Sequence, residues 1–151
     1  MSSLPDGYTI STDPARLDIG VIHNFLAESY WAKNMPRNLV ERMIRHSLNF
    51  GVYHRGAQVG YARVISDYTT FAYLADVFIV PEHRGKGLSK ALVGTILAHA
   101  DLQGLRRWML VTLDAHGIYE SFGFKPVAHP ERHMEIHRAG MYERQPGNEE
   151  A

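Results

Sequence analysis

An apolar run, a glycine-bearing loop and an amphipathic stretch follow one another near the middle of the chain, and this succession most limits the possible folds. Residues 71–80 are rich in aromatic and β-branched residues, which predicts a buried strand that ends at Pro81. Gly85 and Gly87 follow, and apolar residues then recur at helical spacing from Leu88. A strand that enters a helix through such a loop directs backbone N–H groups and the positive end of the helix dipole at one point. The segment therefore predicts a strand–loop–helix unit with an anion site.

Further strands and helices are predicted on both sides of this unit. The first helix is expected to begin at Pro14 with Asp13 as its N-cap and to end near Ser29. Asp114 is expected to cap a short helix that ends at residue 121. The remaining predictions are strands at 8–11, 50–54, 59–65, 108–113, 127–128 and 133–137, and helices at 37–47 and 88–99. The order β-α-α-β-β-β-α-β-α-β-β predicts an α/β (α+β) fold with a mixed sheet covered by helices.

Length and composition indicate one globular domain. The chain has 151 residues, of which 45% are hydrophobic and 21% are charged, as is ordinary for a single folded domain. We expect the domain to span residues 1–138 and residues 139–151, which end in a polar stretch with proline and glycine, to form a flexible tail.

Charge and cysteine content exclude several classes of function. Sixteen basic residues balance sixteen acidic ones, which disfavours a broad surface for nucleic acid or an anionic membrane. No apolar run approaches the roughly 18 residues that span a bilayer, and the N-terminus shows no secretory signal. The chain has no cysteine, so disulfides, thiolate metal sites and cysteine nucleophiles are excluded. A cytoplasmic protein is the expectation.

The loop after the central strand suits a phosphate or pyrophosphate. Gly85 and Gly87 allow close approach of the backbone, while Arg84, Lys86 and Lys90 add positive charge. A glycine-rich turn with solvated basic residues is the alternative. The loop is neither a P-loop, since Gly-x-x-x-x-Gly-Lys-Ser/Thr is absent, nor a dinucleotide fingerprint, since the third glycine is missing.

Two motifs resemble those of the GNAT superfamily of N-acetyltransferases. Residues 81–89 lie between strand and helix and resemble the acyl-CoA signature Arg/Gln-x-x-Gly-x-Gly/Ala, with Arg84 and Gly87 matching and Ser89 at the last position. Residues 118–124 resemble the downstream motif Leu-Tyr-x-x-x-Gly-Phe, while Thr112 stands where the family often has asparagine. The order of elements resembles the family from about residue 8 to residue 137.

The resemblance implies an N-acetyltransferase with a mostly antiparallel central sheet and about four flanking helices. Acetyl-CoA would be the acyl donor, and a primary amine of a small molecule or peptide would attack it directly in a ternary complex. The tetrahedral oxyanion would then collapse and expel CoA thiolate. The implied cofactor-binding residues are Val77, Phe78 and Ile79, whose backbone would pair with the pantetheine arm, and Arg84, Gly85, Lys86, Gly87, Leu88, Ser89 and Lys90 of the loop and helix.

Three side chains are candidates for proton transfer or substrate anchoring. Tyr119 resembles the general acid that protonates the leaving thiolate; a packed tyrosine is the alternative. Asp76 is the candidate base or amine anchor, because burial in an apolar strand would raise the pKa of its carboxyl; a structural aspartate is the alternative. His116, three residues before Tyr119, is either a proton relay or, as we prefer, a histidine that faces water.

Aromatic residues and histidines suggest two further sites. Tyr30, Trp31, Tyr68 and Tyr73 are candidates for the wall of an acceptor pocket, with anchoring of loops to the core as the alternative. His129, His133 and His137 recur every four residues, which would suit a metal site on a helix. The segment is predicted as loop and strand, so no metal site is expected.

Two other classes of protein carry parts of the same pattern. A non-catalytic acyl-CoA-binding regulatory domain would keep the loop, but it would not need a thiolate acid such as Tyr119. A nucleic-acid or chromatin module would need a basic surface that the neutral charge disfavours. The general frequency of twofold assemblies favours a homodimer.

Overall fold

A five-stranded mixed sheet forms the centre of the computed structural model, which describes residues 3–143. Neighbouring strands pair antiparallel except for the last pair, which is parallel. This confirms the predicted mixed, mostly antiparallel sheet. In chain order and in sheet order the strands are β1 (Tyr8–Ser11), β2 (Leu48–His54), β3 (Ala57–Ser66), β4 (Phe71–Ile79) and β5 (Arg107–Met109).

Four α-helices cover the two faces of this sheet. They are α1 (Ile19–Glu28), α2 (Arg37–Arg45), α3 (Leu88–Leu97) and α4 (His116–Glu120). Phe78 packs with α1 and α2, whereas its neighbour Ile79 packs with α3, because successive residues of a strand point to opposite faces. The predicted fold class is therefore confirmed. None of the helices within residues 3–143 combines the length and apolar character needed to cross a membrane.

The first helix begins later than its sequence pattern predicted. Pro14–Arg16 forms a separate 3₁₀ turn with Asp13 as its cap, and α1 begins at Ile19. The prediction of one helix from Pro14 to residue 29 is therefore wrong at its start. Asp18 supplies the reason, because its carboxylate accepts the N–H of Val21 at 3.2 Å and so provides a second N-cap.

The last two predicted strands, 127–128 and 133–137, are also wrong within the described residues. Both segments are irregular, with a 3₁₀ turn at Pro130–Arg132 between them, and β5 ends at Met109 instead of 113. A strand needs a neighbour for its backbone N–H and C=O groups, and the described chain supplies none to these segments.

The start of α4 and the C-terminal tail also differ from their predicted bounds. Ala115 precedes α4, and Thr112 Oγ1 accepts the N–H of Ala115 at 3.0 Å. The predicted cap at Asp114 is therefore wrong. Within the predicted tail, Tyr142 packs against the hydrophobic cluster of α1 and α2. The rest of that tail, residues 144–151, lies outside the described residues.

Gly60 allows β3 and β4 to pack closely, and we expect Gly60→Ala to destabilise the fold. An added Cβ would lie 2.7 Å from Ile79 Cδ1, 3.0 Å from the carbonyl oxygen of Phe78 and 3.1 Å from Val52 Cβ. Overpacking of this kind costs about 1–3 kcal/mol, which should lower the Tm by at least about 2 °C in thermal unfolding followed by circular dichroism.

Gly117→Ala is the matched control, since no atom lies within 4 Å of its added Cβ and the residue lies inside a helix. An equal loss of Tm in both variants would contradict this account of Gly60.

Candidate functional site

The loop between β4 and α3 presents backbone N–H groups that no side chain caps. Gly85 and Gly87 have φ of 78° and 76°, a left-handed conformation that favours glycine. Gly87 is the N-cap of α3, and no side chain of the described residues hydrogen-bonds this helix end. Leu88 buries its side chain in the core, so only its backbone is available to a ligand. The predicted anion site therefore has free donors at the positive end of a ten-residue helix.

Basic side chains surround this helix end. Arg84 Nε donates to the carbonyl oxygen of Ile79 at 2.9 Å, which ties the loop to the end of β4. Lys86 and Lys90 are exposed, and Ser89 is half-buried in the first turn of α3. The loop therefore combines a backbone tied to β4 with exposed positive charges, an arrangement suited to phosphate groups.

β4 and β5 separate beside the loop. Their parallel pairing ends at Tyr73 and Met109, so the edge of β4 that faces β5 has no strand partner beyond Tyr73 in the described structure. The predicted pantetheine-binding residues Val77, Phe78 and Ile79 lie in this part of β4. Peptide groups on an unpaired strand edge can hydrogen-bond an extended amide chain. The unpaired edge of β4 therefore leads directly into the loop before α3.

Asp76 lies at a bulge in β4 and has both carboxylate oxygens occupied. Its φ is 55°, and the pairing of β3 with β4 shifts register beside it. Oδ1 accepts the indole N–H of Trp31 at 2.7 Å, and Oδ2 accepts Nε of Arg63 at 2.5 Å. The aspartate side chain is 7% exposed and the arginine side chain 18%. The structure thus places Asp76 in a largely buried ion pair, which also holds Trp31.

Aromatic rings from α1 and from the loop that follows it lie beside this ion pair. Phe25 stacks on Phe78 with ring centroids 3.9 Å apart, and Trp31 lies 6.5 Å from Phe25 and 5.1 Å from Tyr30. Tyr30 and Trp31 line a cavity of about 300 Å³. The sequence predicted these two residues for an acceptor pocket, and the structure brings them to the same cavity.

The other two predicted pocket residues are placed differently. Tyr73 is half-buried near Asp76: burial raises the pKa of its phenol, and the Asp76 carboxylate raises that pKa further. Tyr68 lies in the turn between β3 and β4 and makes no ring contact or side-chain hydrogen bond with the aromatic group in the part of the chain described. Tyr73 therefore remains a candidate, while Tyr68 is separate from the group.

Tyr119 lies on α4, with its ring packed against the edge of Phe124 at a centroid distance of 5.9 Å. Burial raises the pKa of its phenol above the ordinary value, so it keeps its proton at neutral pH. The ring lines a cleft of about 310 Å³ that is bounded by residues 108–112 and 124–127. His116 is exposed at the same cleft.

Sequence patterns did not single out several residues of this region. They are Phe25, Arg63, Ile136, Arg138 and residues 140–143. The C-terminal residues among them line the cavity of Tyr30 and Trp31, as does His137, which the sequence suggested only as a metal ligand. Arg63 stands within the apolar strand β3, and this position indicated a buried carboxylate partner, since burial of an unpaired charge reduces stability. The C-terminal residues carried no such signal.

The predicted absence of a metal site is not contradicted by the described residues. Within 3–143, no three side chains of histidine, aspartate or glutamate lie in an arrangement that could hold a metal ion. His129 Nδ1 instead lies 3.4 Å from Glu131, and the segment contains a 3₁₀ turn at Pro130–Arg132 followed by irregular chain. The spacing of the three histidines therefore has no helix on which to place them together.

Known proteins share both the sequence and the fold. Residues 19–124 match the profile of the Acetyltransferase (GNAT) family. A Gibberella zeae protein classed among the acetyltransferases is 35% identical over 142 residues, covering 78% of this chain and 79% of that protein. A crystal structure from Xanthomonas campestris pv. campestris, assigned to the GNAT family of acetyltransferases, is 54% identical with a TM-score of 0.89, covering 93% of this chain and 99% of the other.

A more distant structure supports the fold alone. An acetyltransferase from Clostridium acetobutylicum, crystallised with acetyl-CoA, has a TM-score of 0.66 at 13% identity, covering 86% of this chain and 94% of the other. These relatives are all acetyltransferases, so they give no support to the alternative of a non-catalytic acyl-CoA-binding regulatory domain. The family match, the close relatives and the shared fold show that this chain belongs to the GNAT family of acetyltransferases, for which acetyl-CoA is the acyl donor.

Proposed function

We propose that this N-acetyltransferase binds acetyl-CoA along the loop and the unpaired edge of β4, and that Tyr119 protonates the departing thiolate. The observation that carries the proposal is the uncapped N-terminus of α3 at Gly87, directly after a strand edge without a partner. The acceptor is a primary amine of a small molecule or peptide, which attacks directly in a ternary complex. The acetyltransferase domain spans residues 1–138, with Tyr142 beyond it packed on the cluster of α1 and α2, and its location is cytoplasmic.

Phosphate groups would be held by the first turn of α3 and the loop before it. The N–H groups after Gly87 provide donors, and Arg84, Lys86 and Lys90 provide charge. A ligand can approach both glycines of the loop closely, because no heavy atom lies within 4 Å of a Cβ placed at either of them. Val77, Phe78 and Ile79 would supply peptide groups to the arm of the cofactor and an N–H to the developing oxyanion.

Tyr119 has the chemistry that thiolate departure requires. Acetyl-CoA supplies an activated thioester carbonyl, and its thiolate must gain a proton to leave as the thiol. Burial raises the pKa of the Tyr119 phenol, so the protonated form persists at neutral pH. In residues 3–143 no protein group hydrogen-bonds this hydroxyl, so its proton is not committed elsewhere.

Asp76 is proposed as the anchor of the acceptor amine, not as its base. Each carboxylate oxygen already accepts one hydrogen bond, from Trp31 and from Arg63. The carboxylate carries a negative charge beside the cavity of Trp31, which suits attraction of a cationic amine. Deprotonation of the amine is then left to water or to an acceptor that arrives neutral.

Asp76→Asn should raise the KM for the amine by about 10-fold or more, because it removes a charge worth at least about 1.4 kcal/mol to a cation. Asparagine tolerates the positive φ at this position, and its carbonyl can still accept from Trp31. Loss of the charged partner of Arg63 should also lower the Tm, so unchanged affinity for acetyl-CoA in calorimetric titration serves to show that the variant is folded. Asp101→Asn, at an exposed site beyond α3, is the control. An unaltered KM in Asp76→Asn would remove the residue from acceptor binding.

Calorimetric titration with acetyl-CoA and with CoA tests the proposal as a whole. We expect micromolar binding, followed by release of free thiol when a panel of amines, amino acids and peptides is screened as acceptors. Binding without turnover on any acceptor would favour a regulatory domain. Absence of binding would remove the enzyme proposal.

A further inference from the structure

Four basic side chains gather at the hairpin between β2 and β3. His54 ends β2 and Arg55 begins the turn, and His83 and Lys86 come close to them from the segment between β4 and α3. The ring centroids of His54 and His83 lie 5.0 Å apart. None of the ion pairs within residues 3–143 involves any of the four side chains, which are here called the hairpin cluster.

Tyr8 of β1 holds the two histidines of this cluster. Its hydroxyl lies 2.6 Å from Nδ1 of His83. Its ring centroid lies 4.5 Å from that of His54 and 5.6 Å from that of His83. When the hydroxyl donates to Nδ1, the proton of a neutral His83 resides on Nε2, which is then a donor. The tyrosine therefore keeps two imidazoles side by side, directly before the loop that leads to α3.

Arg55 stands at a turn position that disfavours its residue type. Its φ is 50°, and Gly56 after it has φ of 92°. A two-residue hairpin with two left-handed residues strongly favours asparagine, aspartate or glycine at the first of them. Strained backbone of this kind is concentrated at functional sites. The arginine is therefore better explained by an anion that its guanidinium binds than by the needs of the turn.

Gly7 leaves room between two nitrogen atoms of the cluster. A Cβ placed on Gly7 would lie 3.4 Å from Nε of Arg55 and 3.5 Å from Nε2 of His54, so a ligand atom at that point would contact both nitrogens. Burial lowers the pKa of the His54 imidazole, and the bases His83, Arg55 and Lys86 lower it further. An anion between these groups would be stabilised by the same positive charges.

We propose that the hairpin cluster binds a phosphate monoester, and that this group is the phosphate on the ribose of CoA. This assignment rests on the proposed function, in which the chain binds acetyl-CoA. That molecule consists of an acyl-bearing arm, a pyrophosphate and then a ribose with a phosphate monoester. The protein presents matching surfaces in the same order, namely the unpaired edge of β4 towards β5, the N-terminus of α3 and the hairpin cluster. His83 lies four residues before Gly87, so the chain between them spans no more than about 14 Å.

A phosphate monoester matches the donors of the cluster. It carries between one and two negative charges at neutral pH and three oxygens that accept hydrogen bonds. The guanidinium of Arg55 can donate to two of these oxygens at once, whereas the ammonium of Lys86 acts as a point charge. Free inorganic phosphate has the same chemistry, so the experiment separates the two sources.

Calorimetric titration with CoA and with dephospho-CoA, which lacks only the phosphate on the ribose, tests the proposal. We expect the wild type to bind CoA at least about 10-fold more tightly, because charge-assisted hydrogen bonds to the monoester are lost in dephospho-CoA. Arg55→Asn should weaken binding of CoA at least about fivefold and leave binding of dephospho-CoA unchanged. Asparagine suits the positive φ of this turn position, so the hairpin is retained.

Arg42→Asn is the matched control. It removes the same charge from an exposed site on α2, which packs on the opposite face of the sheet from α3. This variant should keep the wild-type preference for CoA over dephospho-CoA. An equal loss of that preference in both variants would show a general effect of charge and would overturn the proposal.

The remaining outcomes separate this assignment from the proposed function. Equal affinity of the wild type for CoA and dephospho-CoA, or an unchanged preference in Arg55→Asn, would overturn the assignment and leave the proposed function intact. Inorganic phosphate is titrated alone into the wild type and Arg55→Asn. Binding that depends on Arg55, without discrimination between the two CoA compounds, would assign the cluster to free phosphate instead. Binding of neither CoA compound would overturn the proposed function and this assignment together.

Discussion

Gly87→Glu should weaken acetyl-CoA binding by at least about 100-fold, equivalent to about 2.7 kcal/mol. Gly87 has φ of 76°, where a side chain costs about 1–2 kcal/mol. The new carboxylate would also stand at the N-cap of α3, where the proposed phosphate groups meet the free N–H donors. Repulsion between this carboxylate and the phosphate groups would add to the backbone strain. Calorimetric titration with acetyl-CoA measures the loss.

Gly104→Glu is the matched control for this experiment. Gly104 has φ of 74° and open space around its added Cβ, as Gly87 does. It lies between α3 and β5, beyond the far end of a helix about 15 Å long. The control should suffer the same backbone strain and keep its affinity for acetyl-CoA. Wild-type affinity in Gly87→Glu would move the cofactor site elsewhere, and equal losses in both variants would indicate a general loss of structure.

Tyr119→Phe should lower kcat by about 10²–10⁴-fold, the contribution expected of a positioned general acid. Phenylalanine keeps the edge contact with Phe124 and removes only the proton that the thiolate would receive. Affinity for acetyl-CoA should therefore stay within about twofold of wild type, since the change lies in the transition state rather than in binding. Steady-state release of free thiol, together with titration of the donor, separates the two effects.

Tyr53→Phe provides the control for loss of a phenol. The Tyr53 hydroxyl is buried without a hydrogen-bond partner in the described residues, so its removal should leave both kcat and affinity unchanged. Turnover of Tyr119→Phe equal to that of wild type would remove Tyr119 from the mechanism. A fall in affinity equal to the fall in kcat would instead indicate a packing role.

The predictions that succeeded depended on local pattern. The hairpin at Arg55 and Gly56 joins β2 to β3, and β4 ends beside Pro81 as its apolar run indicated. α3 begins at Leu88, because Gly87 before it adopts a left-handed conformation that does not continue into the helix. In each case the controlling residues lie within a few positions of the feature. Hydrophobic periodicity and the conformational needs of glycine and proline act at that range.

The candidate site was predicted in part. The loop residues and Tyr119 were predicted from contiguous motifs, and their roles stay predictions. The partners of Asp76 were not found: Trp31 lies 45 positions away in sequence and Arg63 lies 13 away on another strand. The sequence suggested a carboxyl that acts as a base or an amine anchor, and the structure shows that each of its oxygens already accepts a hydrogen bond.

The sequence by itself determined most element types, the mixed sheet and the glycine-bearing loop before α3, because these depend on residues close together in the chain. Tertiary structure decided which side chains meet at Asp76 and how far the strands run. Residues 133–137 show the difference, since they have the alternation of a strand but no strand beside them in the described chain. Alternation of apolar and polar residues indicates which face a segment can bury. A strand also needs hydrogen-bond partners for its backbone, and only the folded or assembled molecule supplies those.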